Sequence, residues 1–220
     1  DIVLGIDVSG SMTAQDFSPN RMEAAKKVAE EFVDSRPTDR IGIVVFAGES
    51  FTQCPLTTDK AVLKSAISHI QNGLLEDGTA IGDGLSTSID RLRNTRSKSK
   101  VVILLTDGEN NGGIIGPASA KEIAKAFHVK VYTIGVGSDG YAPFPVKTQL
   151  GIIVQQQKVT IDEKLLNEIA TETGGKYFRA KDNVGLTDIY KEIDQLEKSK
   201  VEITTISRYT EKYFIFVLLA

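Results

Sequence analysis

The chain is expected to fold as a three-layer α/β domain, a doubly wound and mainly parallel sheet with one antiparallel edge strand and helices on both faces. Three observations lead there. Apolar runs of strand length alternate with amphipathic stretches of helix length along the 220 residues, the rhythm of a sheet wound by crossover helices. The run Val101-Val102-Ile103-Leu104-Leu105 is continuous and apolar, as suits a parallel strand covered on both faces. Two further strand-like runs, 40–46 and 50–54, are separated by a short polar turn at Gly48-Glu49, a spacing that suits a hairpin.

In chain order, the first strand is expected over 1–7, from Ile2-Val3-Leu4-Gly5-Ile6. Ser18-Pro19 then reads as a helix cap followed by proline at the first helical position, where the missing N–H is no loss. Met22, Ala25, Ala29, Phe32 and Val33 recur at three- and four-residue spacing and give that helix an apolar stripe. After the hairpin come helices at about 58–70 and 80–92, strand 100–106, helix 117–127, strand 130–136, helix 162–172, strand 175–179 and helix 184–198. Gly174-Gly175 ends the helix before it, consistent with a left-handed cap. A last strand is expected over 200–206. The segment 141–161 breaks the rhythm: Pro143 and Pro145, then Ile152-Ile153-Val154 and Val159, read as a long loop with a small hairpin.

The composition narrows the function classes. An apolar fraction of 41% and a charged fraction of 25% are ordinary for one folded domain of this length. A net charge of −3 gives no reason to expect nucleic acid or an anionic membrane surface as partner. The single Cys54 excludes an intrachain disulfide and a thiolate cluster, and reads as a small apolar filler. His69 and His128 lack clear partners and do not suggest a zinc site. The chain starts inside a strand-like run without Met and ends in the apolar run Tyr213–Ala220 behind Arg208 and Lys212. Eight residues cannot span a bilayer, which needs about 20. The expectation is therefore a fragment, with a domain over 1–206 and, over 207–220, a linker and the start of a truncated transmembrane segment.

The chemistry-bearing residues follow strand ends. Asp7-Val8-Ser9-Gly10-Ser11 puts a carboxylate and two hydroxyls at alternate positions after the first strand, where extended chain aims them the same way. The same residue types also make ordinary turns. Glu76-Asp77-Gly78-Thr79 opens a helix with a hydroxyl at Thr79, and Thr106-Asp107-Gly108 places Asp107 at the carboxyl end of the most apolar strand. In a doubly wound sheet, strands 1–7 and 100–106 would be central neighbours at the topological switch point. Asp7, Ser9, Ser11, Thr79 and Asp107 can then share one cation, and oxygen ligands suit magnesium, manganese or calcium.

This D-x-S-x-S, later Thr, and T-D-G pattern resembles the metal-ion-dependent adhesion site of von Willebrand factor type A domains, over nearly the whole chain and with no departure at the five positions. The resemblance implies that Ser9 and Ser11 bind the metal directly. It implies that Thr79 does so in the ligand-ready state, and that Asp7 and Asp107 contact the ion directly or through water. With at most two carboxylates balancing a dication, the ion stays electrophilic, and a partner protein's carboxylate can complete its octahedron; magnesium is the first choice, since it keeps an open position readily. No catalytic residue is expected.

Rival motifs are weaker. Gly135-Val136-Gly137-Ser138-Asp139-Gly140 fits a dinucleotide fingerprint, but Tyr141-Ala142-Pro143 follows where a helix is needed. Asp107 to Gly112 imitates an EF-hand start, but position twelve would be Ala118. A magnesium-dependent phosphatase using Asp7 as nucleophile is the enzyme alternative; Ser9 stands where haloacid dehalogenase-like enzymes carry a second aspartate. Asp39–Gly48, Phe51–Thr57, Tyr132–Gly137 and Thr173–Ala180 further resemble bacterial BatA-type proteins of aerotolerance operons, which accompany MoxR-type ATPases. That likeness implies a membrane-anchored protein of the bacterial inner membrane, its domain on the periplasmic side. It also implies partners within the same membrane complex or a MoxR-type AAA ATPase that it serves as adaptor in client remodelling or metal insertion.

Overall fold

Strand β1 (Ile2–Asp7) lies inside a six-stranded sheet in the computed structural model, which describes residues 1–138, 140–148 and 151–198. A short 3-10 turn, Gly10–Thr13, leads from it to α1 (Arg21–Ser35). The chain continues through β2 (Ile41–Phe46), β3 (Ser50–Thr57), α2 (Lys60–Ser68), α3 (Ile81–Arg93), β4 (Val101–Thr106), α4 (Pro117–Ala126) and β5 (Lys130–Val136). It then forms β6 (Gly140–Thr148), β7 (Gly151–Val159), α5 (Glu163–Glu172), β8 (Tyr177–Ala180) and α6 (Asn183–Lys198). The strand order is β3-β2-β1-β4-β5-β8, parallel throughout except for β3, which pairs antiparallel with β2 at the edge. The expected fold class is the observed one.

Every residue of β1, β2 and β4 is buried, because helices cover both faces. On one side Leu4, Ile6, Ile43 and Ile103 pack against α1, α2 and α6. On the other, Val3, Val44, Val102 and Leu104 pack against α3, α4 and α5. Successive strand residues alternate between the two cores, as the pleat requires. The chain changes face between β1, followed by α1, and β4, followed by α4, and these strands are neighbours in register from Ile2↔Val101 to Ile6↔Leu105. Their carboxyl ends therefore open one crevice.

Two expectations need correction. Ser18 does not cap α1. Asn20 does, its Oδ1 accepting from Glu23 N at 2.9 Å, with Pro19 left outside the helix. Ser18 is claimed instead by the far end of the fold, its N donating to Asn183 Oδ1 at 3.0 Å. The segment 141–161 is not mostly loop. β6 and β7 pair in unbroken register from Gly140↔Val159 to Thr148↔Gly151 as a separate two-stranded sheet. Pro143 O accepts from Gln15 N at 2.8 Å, so Pro143 turns its backbone away from β7. Pro145 has the same parity, and neither proline removes a rung from the ladder. Ala142 and Phe144 pack on Ala14 and hold the hairpin against the turn after β1. The expected strand 200–206 and the expected membrane segment 207–220 lie outside the described residues. Among those described, no helix is long and apolar enough to cross a membrane. Gly174 ends α5 with φ +80°, as its sequence indicated, and Cys54 is buried in the core. His69 and His128 are exposed.

Candidate metal centre

Three segments meet above the β1/β4 crevice and are stitched together mainly by hydrogen bonds between side chains and backbone groups. Asn72 Nδ2 donates to Val8 O at 3.1 Å and Ser9 O at 2.8 Å, fixing the turn after β1. Asp77 Oδ1 accepts from Gly10 N at 3.3 Å and from Gly78 N at 3.0 Å. The segment before α3 is clasped by the one after β4: Thr79 N donates to Asn111 Oδ1 at 2.7 Å, and Asn111 N returns a bond to Thr79 O at 3.1 Å. Ile81 N, an orphan donor at the start of α3, is satisfied by Asn110 Oδ1 at 2.9 Å. Asp83 accepts from Ile114 N and Ile115 N, at 2.9 and 2.7 Å.

These clasps bring the five sequence candidates together in two tiers. Ser9, Ser11, Thr79 and Asp107 line an open cleft of about 470 Å³. Ser9 Oγ lies 2.9 Å from Ser11 Oγ, and Ser11 Oγ donates to Asp107 Oδ1 at 2.5 Å. Asp7 lies beneath them, fully buried. Its Oδ1 accepts from Ser9 N at 2.9 Å and its Oδ2 from Thr106 Oγ1 at 2.5 Å. Burial, then the charge of Asp107, pushes the Asp7 carboxyl up to about 7, against the pull of the Ser9 and Thr106 hydrogen bonds. Burial also raises Asp107, with Arg21 and Ser11 opposing it. Two desolvated carboxylates that resist ionising side by side are a place where a cation is strongly favoured.

One basic side chain already answers part of that demand. Arg21, fully buried, donates from Nη1 to Asp107 Oδ2 at 2.8 Å and grips Asp16 from Nε and Nη2 at 2.8 and 2.6 Å. Asp16 in turn accepts from Ser138 N at 2.7 Å. Arg21 therefore holds one oxygen of Asp107 and leaves the other facing Ser11. Sequence reasoning assigned no site role to Arg21, Asp16, Asn72 or Asn111, and Thr106 entered only as part of the T-D-G pattern. For Arg21 a signal existed: it stands four residues before Ala25, on the stripe that packs inward.

The donor set fits a hard dication. Adjacent corners of an octahedron with ~2.1 Å arms are ~3.0 Å apart, close to the 2.9 Å between the two serine hydroxyls. No group of three or more His, Cys, Asp or Glu side chains placed to hold a metal occurs among the described residues; here three of the five donors are hydroxyls.

A doubly wound sheet with this hydroxyl-and-carboxylate cleft at its switch point defines a von Willebrand factor A-type domain. Residues 1–192 match the von Willebrand factor type A domain family, and the chain belongs to that family. Among solved structures it is similar to an aerotolerance-related membrane protein from Bacteroides fragilis, at 30% identity and TM-score 0.76, covering 90% of this chain and 98% of that one. It is also similar to BatB from Bacteroides thetaiotaomicron, at 33% identity and TM-score 0.73 over the same shares. A mussel byssus protein, proximal thread matrix protein 1 with a zinc-occupied MIDAS motif, is 27% identical with TM-score 0.69, covering 90% of this chain and 45% of that one. An uncharacterised protein of Borreliella burgdorferi is 30% identical over 222 residues, and the chain spans 65% of its length.

Proposed function

We propose that the chain is a metal-dependent protein-interaction module of a bacterial membrane protein. In this reading Asp7, Ser9, Ser11, Thr79 and Asp107 hold one divalent cation, magnesium first and manganese or calcium as alternatives. The observation that carries it is the row Ser9 Oγ, Ser11 Oγ and Asp107 Oδ1, linked at 2.9 and 2.5 Å and open to the cleft. The zinc-occupied MIDAS motif of the similar mussel protein supports the cation. When bound, the cation supplies a Lewis-acidic site for a partner's carboxylate. Ser9 and Ser11 present hydroxyls to it, while Asp7 and Thr106 orient the Ser9 turn from below.

The phosphatase alternative is disfavoured, because both oxygens of Asp7 are engaged beneath the cleft; from there a carboxylate can meet a cation through water, but a nucleophile must touch its substrate directly. The likeness to an aerotolerance-related membrane protein supports membrane attachment; in this reading the membrane is the bacterial inner membrane, the domain, over 1–206, faces the periplasm and the apolar 213–220 belongs to the attachment. Its partner is then another member of the same envelope complex, with a MoxR-type ATPase the alternative. Stimulation of ATP hydrolysis by the added domain would favour the latter.

Thermal melting in a magnesium, manganese and calcium series, on wild type and Ser9→Ala, tests the cation. Binding only to the folded state adds RT ln(1 + [L]/Kd), about 2.7 kcal/mol at a hundredfold excess over Kd. A rise in Tm in wild type, much reduced in Ser9→Ala, is expected. An unchanged Tm at millimolar metal would remove the reading.

A further inference from the structure

The β6–β7 hairpin forms one wall of the cleft, and the two edges of this small sheet differ. The outer edge of β6 is closed. Pro143 and Pro145 have no N–H to offer, and Pro143 O is already taken by Gln15 N. The outer edge of β7 has no partner strand among the described residues. Because Pro143 faces away from β7, its partner Gln156 and the equivalent residues Val154 and Lys158 also turn their N–H and C=O groups outward. β7 has no proline and no bulge among its paired residues, and its described side chains are exposed except for half-buried Val159. Natural edge strands are usually blunted by such devices. This edge instead carries Ile153 and Val154, 51% and 59% exposed.

The strand leads into the cleft. Gln157 and Lys158 line it together with Ser9, Ser11 and Asp107, and Lys158 is the one basic residue lining it among the described residues. Asp77 and Glu109 are also among its lining residues.

We infer that the β7 edge is a docking strip for an extended acidic segment of a protein partner, which adds as a third strand along Val154, Gln156 and Lys158 and delivers an Asp or Glu into the cleft. Strand addition supplies backbone hydrogen bonds, while the side chain at the strip's end supplies selectivity. The acidic side chain is called for, resting on the function proposed above, by the cation, with Lys158 beside it; without the cation Asp77, Asp107 and Glu109 would repel it. The hairpin is held for this task, since Asp16 binds Ser138 just before β6 and Gln15 binds β6 itself.

Short random peptides displayed on phage, panned on the 220-residue chain in magnesium and then resynthesised for fluorescence polarisation, test the strip. Enriched peptides should place an Asp or Glu beside a β-branched run. Binding should fall about tenfold or more when alternate peptide nitrogens of one parity are methylated, and not for the other parity, since two or three backbone hydrogen bonds are lost. Val154→Pro removes an outward N–H without touching the β6 ladder and should have the same effect. Should Val154→Pro melt early, the methylated peptides decide alone. No enrichment, or tolerance of methylation at both parities, overturns the strip. So does sedimentation showing a dimer that Val154→Pro dissociates, because a second copy would then own the edge. The magnesium melting shift of wild type separates the two readings. If it persists while the peptide arms fail, only the strip is lost; if it is absent, the cation reading falls.

Discussion

Arg21, which the motif does not name, is the buried positive charge paired directly with the site's Asp107. Its guanidinium lies between Asp16 and Asp107 with no exposure of its own. Removing one partner of a buried ion pair costs about 3–5 kcal/mol, because the remaining charge is stranded. Arg21→Met should therefore melt well below wild type without metal, and magnesium should restore more Tm to it than to wild type. Equal magnesium shifts in both would show that Arg21 and the cation do not share Asp107. Asp7 adds a pH dependence. Its folded value of about 7 lies above the ordinary 3.8, so in metal-free protein its contribution to stability is complete below that ordinary value and is lost as pH rises through about 7. Metal must displace the proton. The magnesium-induced rise in Tm should grow between about pH 5.5 and about pH 8, and a pH-independent rise would contradict this role for Asp7. The five motif residues were legible because each ends or follows a strand or just precedes a helix. For Arg21 only the inward position was legible; its role depends on a pairing across 86 residues of chain with Asp107, and the role of Asp16 depends in turn on Arg21.

At the scale of elements, the start of α3 decides whether Thr79 is in place. A Cβ on Gly82 would lie 1.9 Å from Ile115 O in the segment that clasps this helix end. Alanine in a helix is worth about 1 kcal/mol over glycine, but a backbone clash of this kind costs about 1–3 kcal/mol or more. Gly82→Ala should therefore lose stability and weaken magnesium binding together, read as Tm with and without metal. Gained stability would mean that the 110–116 segment yields freely. The strand pattern of the sheet was readable from the sequence, because buried parallel strands are apolar throughout. A small hairpin within 141–161 was readable too, but its extent was not, because its prolines count against a strand until their outward parity is known. The cap of α1 was misread for a similar reason: Ser18 and Asn20 are equally good caps, and only the contact of Ser18 with Asn183 chooses between them.

For the whole molecule, a rigid sheet brings three sequence-distant segments to one cleft, and the hairpin adds a wall with a pairable edge. Neither the partner nor its orientation is written in the sheet; both depend on the cleft's chemistry and on β7. Crystals of the chain soaked with manganese and measured for anomalous scattering test the central claim most directly, because they locate the ion itself. A single strong peak within coordination distance of Ser9 Oγ and Ser11 Oγ, and lost in Ser9→Ala crystals, is expected. A peak elsewhere, or none in the cleft at millimolar manganese, would contradict it.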